Sequence, residues 1–159
     1  MPGDNLIADP FMDATRAISI EAQPNQIFPW LVQMGFGRAG WYSYDWIDNL
    51  GRRSASTILP QHQSLAAGEL VPSGPIQFTA SVVEQDKAIV LDYRNQRLEF
   101  TLAFRIDPVG PSSSRLVSRA RARIHFPGGT ALAKLLEIGD GIMVRKQLLN
   151  VKQRAETQT

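Results

Sequence analysis

The chain has 159 residues, of which 43% are apolar, and 17 Lys and Arg face 15 Asp and Glu. That is enough for one compact domain with a real core, and a formal net charge of +2 gives no polycation of the kind a dominant nucleic-acid role needs. Cysteine is absent, which removes disulfides, thiolate nucleophiles and cysteine metal ligands, and the two histidines, His62 and His125, stand too far apart in sequence to suggest a metal cluster.

The first ten residues, "MPGDNLIADP", show no basic region followed by an apolar stretch, and no apolar run approaches the roughly 18 residues that cross a bilayer. The expectation is a cytoplasmic protein without an integral membrane segment. From Arg16, "RAISIEA" alternates, with Ile18 and Ile20 on one face, and predicts a first strand. "QPNQIFPWLVQMG" then predicts a helix: Pro24 suits its first turn, Ile27, Phe28, Trp30, Leu31 and Met34 recur at helical spacing, and Gly35 ends it. Pro29 lies inside this pattern, where it lacks an N–H and clashes with the preceding turn, so a bent or two-piece helix is expected.

"MGFGRAGWYSYDWIDNL", Met34 to Leu50, sets bulky rings beside flexible glycines. Ser43 is expected to cap a second short helix over Tyr44 to Leu50, with Asp45 in its first turn. "GRRSASTILPQHQSLAAG" reads as an irregular connection that ends in a short strand at "ELV" and a turn at "PSGP". Four alternating runs follow, Ile76 to Glu84, Lys87 to Arg94, Leu98 to Asp107 and Arg115 to Phe126, and their short connections predict an antiparallel meander.

In the last run, Arg115, Val117, Arg119, Arg121, Arg123 and His125 share one face, and Leu116, Ser118, Ala120, Ala122, Ile124 and Phe126 share the other. Small residues in the middle of the inward face leave room above them. The arginine row lacks the interleaved aromatics of a single-strand binding platform, and Glu84, Glu99 and Asp107 can pair with it, so a solvated outer face is expected. After "PGG" the period becomes helical: Leu132, Leu135, Leu136, Ile142, Met143 and Leu149 mark a long C-terminal helix, with Lys146, Lys152 and Arg154 toward its end. Gly139 and Gly141 interrupt it, where another group can approach the backbone.

The segments "ISIEAQPNQIFPWLVQMG", "GRAGWYSYDWIDNL", "ILPQHQSLAAGELV" and "GDGIMVRKQLLNVKQRAE" resemble bacterial members of the START-like (SRPBCC) superfamily, the polyketide cyclase/dehydrase-like group. The resemblance runs from about Thr15 to Glu156, with the middle strands matching by pattern. It implies an α+β helix-grip fold: a curved antiparallel sheet wrapped around a long C-terminal helix, with two short helices after the first strand. It also implies a single START-like domain over residues 1–159, with 1–13 as an N-terminal extension and 14–156 as the core. An apolar cavity is expected between the sheet and the long helix, and with it a hydrophobic small-molecule partner such as a lipid, isoprenoid or polyketide-like compound. A cyclase or dehydrase using the same cavity is the alternative, although no catalytic set matches residue by residue.

Residues expected to line or anchor the ligand are Met34, Arg38, Trp41, Tyr42, Tyr44, Asp45, Ser118, Ala120, Ala122, Leu136 and Met143. Arg38 offers a planar fork for a ligand carboxylate or enolate, or else a structural pair with Asp45 or Asp48. Asp45 is disfavoured as a general base, because a helix N-terminus favours its charged form. Tyr44, Ile47 and Leu50 equally fit a face that packs the second helix. No cofactor, metal or nucleic-acid partner is called for, and the sequence sets no oligomeric state.

Overall fold

The computed structural model describes residues 1–125 and 141–157 in full, and the backbone of 129–140. Its elements are β1 (Met12–Ile20), α1 (Pro24–Val32), α2 (Asp45–Asp48), a short 3₁₀ turn at Pro60–His62, β2 (Leu70–Ser73), β3 (Ile76–Glu84), β4 (Ala88–Arg94), β5 (Leu98–Pro108), β6 (Ser114–Ile124) and α3 (Gly129–Thr157). The six strands form one curved antiparallel sheet in the order β1-β6-β5-β4-β3-β2. The meander read from the alternating runs is therefore present, and β1 closes it by pairing with β6 from Met12↔Ala122 to Ile20↔Ser114.

The register places one continuous apolar face toward the helices. Cross-strand rows such as Met12, Ala122, Phe100 and Tyr93, or Ala120, Leu102 and Leu91, run across it. α1 supplies Ile27, Phe28, Trp30, Leu31 and Val32 to the core. It runs as one nine-residue segment rather than two, despite Pro29. The carbonyl that Pro29 cannot pair belongs to Asn25, an exposed residue. At the start of the helix the Gln23 backbone N–H donates to Gln26 Oε1 at 2.9 Å.

α3 packs on β1 and β6. Ser118 and Ala120 are buried, and their small side chains leave the space the helix axis needs. Among the described side chains of α3, the buried stripe is Val144, Gln147, Leu148, Val151 and Ala155. Ile142 and Leu149, expected on that stripe, are instead exposed at 55% and 46%. At Gly141 a Cβ would stand 2.9 Å from Arg16 Nη2, so this glycine does admit a close neighbour to the helix backbone. Leu132, Leu135, Leu136, Phe126 and Gly139 lie outside the residues whose side chains are described.

The outer face of the sheet is not simply solvated. Ala88, Val90, Ala103 and Val117 are buried there, and residues 1–11 lie against them. Ile7 is 2% exposed, and a Cβ on Gly3 would come within 2.7 Å of Val90. The arginine row holds this segment. Arg119 Nη1 donates to Asp4 Oδ2 at 2.7 Å, Arg121 to the Asp4 carbonyl, and Arg123 Nη1 to the Ala8 carbonyl at 3.0 Å. From β4, Arg94 Nη2 donates to the Leu6 carbonyl at 2.6 Å. The acids expected to pair with the row go elsewhere: Asp107 to Arg105, and Glu99 to His125 and Arg94. The row is met instead by the carboxylates of Asp4 and Asp13 and by backbone carbonyls of the leading segment, which sequence alternation could not supply.

Candidate functional site

Gly35 and Gly40 exchange backbone hydrogen bonds at 3.1 Å each and close the "GFGRAG" stretch into a tight loop. Gly40 has φ +80°, and a Cβ there would collide with the Ser54 hydroxyl. No other residue fits both constraints. Beyond this loop the chain passes through Trp41, Tyr42 and Ser43, with Tyr42 at φ +59°, a left-handed conformation that is costly for a bulky residue.

α3 holds that conformation in place. Gln147 Nε2 donates to the Trp41 carbonyl at 2.9 Å, Asn150 Nδ2 to the Tyr42 carbonyl at 2.7 Å, and Ser43 Oγ to the Met143 carbonyl at 3.1 Å. Ser43 is thus not a cap: α2 begins after Tyr44 and has no side-chain cap. Asp45 accepts from the Ser54 N–H at 3.1 Å and the Ser54 hydroxyl at 2.6 Å, pinning the connection after α2.

Between the sheet, α3 and this loop lies a cavity of about 390 Å³. Its sheet wall is Met12, Ile76, Phe78, Leu98, Phe100, Leu102 and Ala122, with Ser73 at the end of β2; α3 contributes Met143, Val144 and Gln147; the loop and α2 contribute Trp41, Ser43 and Asp48. The aromatic walls are mutually braced edge to face, Trp41 on Phe78 at 5.8 Å between centroids and Phe78 on Tyr93 at 6.4 Å.

Among the described residues, two polar groups in this wall lack partners. The Trp41 Nε1–H is buried and donates to nothing. Both carboxyl oxygens of Asp48 are buried and, beyond the residue's own backbone N–H, accept from nothing. Burial, reinforced by the neighbouring charge of Asp45, pushes the Asp48 carboxyl up to about 6. Asp48 is the one ionisable side chain among the described residues that line the cavity.

Of the residues expected at the site, Trp41, Ala122 and Met143 line the cavity. The others among the described residues do not. Met34 is buried in the core, with Gln147 Nε2 3.6 Å from its sulfur. Arg38 turns its guanidinium to the Val32 and His62 carbonyls at 3.0 and 3.3 Å, and burial holds it below its ordinary value. Neither the ligand anchor nor an ion pair with Asp45 or Asp48 is what it makes. Tyr42 is fully buried; its hydroxyl accepts from Gln33 Nε2 at 2.7 Å, Arg154 stacks 4.8 Å from its ring centroid, and burial pushes the phenol up to about 12. Tyr44 stands at the N-cap of α2, and Ser118 and Ala120 lie buried under α3. Leu136 falls outside the described side chains. The face Tyr44, Ile47 and Leu50 does not pack α2 either: none of its four residues is buried, and Trp46 and Leu50 are 74% and 76% exposed.

Asp48 is the residue that sequence reasoning weighed only as a partner for Arg38. Phe78, Phe100 and Leu102 were available from strand parity once the inner face was known. No family model matches the sequence, and no curated protein matches it. Solved structures do match. A START superfamily protein from Mycobacterium smegmatis is 11% identical with a TM-score of 0.56, over 92% of this chain and 99% of that one. The Polyketide_cyc-like protein Cgl2372 from Corynebacterium glutamicum is 10% identical with a TM-score of 0.55, over 96% and 95%. The di-domain ARO/CYC protein BexL, from the BE-7585A biosynthetic pathway, is 14% identical with a TM-score of 0.54, over 91% of this chain and 46% of that one. At such identities the likeness fixes the fold, which is START-like, with the α+β helix-grip plan.

Proposed function

We propose that this START-like chain binds a hydrophobic small molecule in the cavity between its sheet and α3, acting as a cytoplasmic binding protein. One observation carries the reading: about 390 Å³ of space is left unfilled behind a wall that is mostly aliphatic and aromatic. Packed interiors do not leave voids of that size without a use for them. The START and polyketide cyclase-like neighbours support the same reading.

The magnitudes say what such a ligand gains. Burying roughly 250 Å² of apolar surface at about 25 cal/mol/Å² gives about 6 kcal/mol, whereas association costs at least about 4. Apolar contact alone therefore gives weak binding, and polar contacts must supply the rest. Titration with N-phenyl-1-naphthylamine, a neutral apolar fluorophore, tests the cavity directly. Saturable 1:1 binding that Ala122→Leu weakens by tenfold or more is expected. Absence of saturable binding overturns the reading.

A second reading, a cyclase or dehydrase in the same cavity, has one observation in its favour. Asp48, at about 6, has the proton affinity of a general acid or base operating near neutral pH. Turnover of a poly-β-ketone that is abolished by Asp48→Asn, with the fluorophore still bound, would establish it. Retention of unchanged compound would favour binding.

A further inference from the structure

The segment from Asp45 to Ser54 is folded inside out. The Asp45 carbonyl accepts from the Gly51 N–H at 2.7 Å, Asn49 Nδ2 donates to the Arg52 carbonyl at 2.7 Å, and the Ser54 hydroxyl donates to the Asp45 carboxylate at 2.6 Å, so the segment closes on itself as a braced knob. Its polar side chains go inward: Asn49 is buried, and so are both carboxyl oxygens of Asp48. Its apolar side chains go outward, with Trp46, Ile47 and Leu50 all exposed. A surface segment that meets only water is expected to do the reverse. Leu50 is held in this position at φ +50°, a left-handed conformation that costs a leucine free energy. Exposed apolar residues scattered singly are ordinary, whereas three gathered on one knob mark a contact surface.

The residue types say what the contact is. A tryptophan joins an apolar body to a polar N–H, which suits the boundary between acyl chains and water. Arg52 and Arg53 follow the apolar residues directly and are both exposed. Guanidinium groups beside an apolar patch match the two layers of an anionic bilayer surface, phosphates above and hydrocarbon below. We propose that the Asp45–Ser54 knob docks on an anionic lipid bilayer, with Trp46, Ile47 and Leu50 entering the acyl boundary and Arg52 and Arg53 meeting lipid phosphates. Asp48 of the same knob borders the cavity, so docking sets the cavity beside the phase in which hydrophobic compounds concentrate, a use that rests on the binding reading above.

Trp46 reports its own docking, because Trp30 and Trp41 are buried. The full chain is mixed with vesicles of phosphatidylcholine, alone or with one third phosphatidylglycerol, and followed by co-sedimentation and by acrylamide quenching of tryptophan fluorescence. The wild type is expected to bind the anionic vesicles at least about tenfold tighter than the neutral ones, with a blue shift and reduced quenching. Trp46→Ser/Leu50→Asn weakens that binding by about tenfold or more, and asparagine keeps the left-handed turn. Arg52→Gln/Arg53→Gln removes most of the preference for anionic vesicles, as does about 0.5 M salt with the wild type. Both double variants keep the wild-type Tm, which shows that they are folded. Wild type that stays in the supernatant with both vesicles, or that sediments no better than either double variant, overturns the proposal. So does a dimer in sedimentation velocity that Trp46→Ser/Leu50→Asn dissolves without vesicle binding, which assigns the knob to a second copy of the chain. Binding of poly-L-glutamate in place of vesicles overturns it in favour of an acidic protein. The N-phenyl-1-naphthylamine titration, run without vesicles, tests the cavity separately, so either reading can fail alone.

Discussion

Leucine placed at two alanines on one strand distinguishes space from packing. Ala120 and Ala122 are both buried on the inner face of β6, 1% and 4% exposed, two residues apart. Only Ala122 borders the cavity, between its cross-strand neighbours Met12 and Phe100, which border it too. Ala122→Leu adds three carbons to open space. At about 0.8 kcal/mol per buried methylene this gains up to about 2.4 kcal/mol, less about 0.5–1 for the lost rotamer freedom of leucine. The net is a stabilisation of about 1.5 kcal/mol, or a rise in Tm of about 3–6 °C for a chain of this size. Ala120→Leu must push the same atoms against α3, and overpacking of this kind costs about 1–3 kcal/mol. Thermal unfolding by circular dichroism should therefore separate the two variants by about 3 kcal/mol, with opposite signs against wild type. Two variants destabilised alike would mean that the space beside Ala122 is already filled, and the reasoning from cavity to ligand would fail with it.

Asp48 makes stability depend on pH. Its folded-state value of about 6 lies above the ordinary 3.8, so between those limits the folded protein keeps a proton that the unfolded chain releases. Stability is full below about pH 4, falls as pH rises toward 6 and stays lower above it; the shift corresponds to at most about 3 kcal/mol, and solvent screening of this half-buried group leaves about 1. Urea unfolding of Asp48→Asn at pH 4.5 and 7.5 should lack that fall; an identical pH profile in wild type and variant would refute the assignment. Tyr42→Phe removes the acceptor of Gln33 Nε2, which keeps the Thr57 carbonyl at 3.2 Å, and should cost about 1 kcal/mol in the same assay while leaving fluorophore affinity within twofold. A large loss of affinity would put Tyr42 in the site after all. Ile7→Ala should lower stability by about 2–3 kcal/mol, a drop in Tm of about 4–12 °C, because the leading segment is packed on the sheet; an unchanged Tm would show it to be dispensable.

What could be read from the sequence follows from how local the information is. Period-two alternation with short turns fixed β3 to β6 to within a residue or two, since the pleat forces every second side chain inward. The helical period after residue 129 fixed α3, but not which stripe would be buried. Gln147 and Asn150 turn toward the Trp41 and Tyr42 carbonyls because that backbone needs donors, a demand made from about 100 residues away. "MPGDNLIADP" has no period, and much of its grip on the sheet comes from carbonyls, which every sequence carries and none displays, beside the Asp4 carboxylate and the buried Ile7. For the site, Trp41, Ala122 and Met143 were legible as bulk, small strand residue and adaptable thioether. Asp48 was not: a four-residue helix gives no phase from which to tell an acid facing water from one facing a cavity.

The hydrogen bonds from α3 to residues 41–43 tie one wall of the cavity to the next. Trp41 cannot swing outward alone, because its carbonyl and that of Tyr42 are both gripped by side chains of the helix, while Ser43 grips the helix in return. Any motion that widens this corner must carry helix and loop together as one leaf of a door. The far edge of that leaf is hinged as well, since the Phe36 N–H donates to the Pro72 carbonyl of β2 at 2.7 Å.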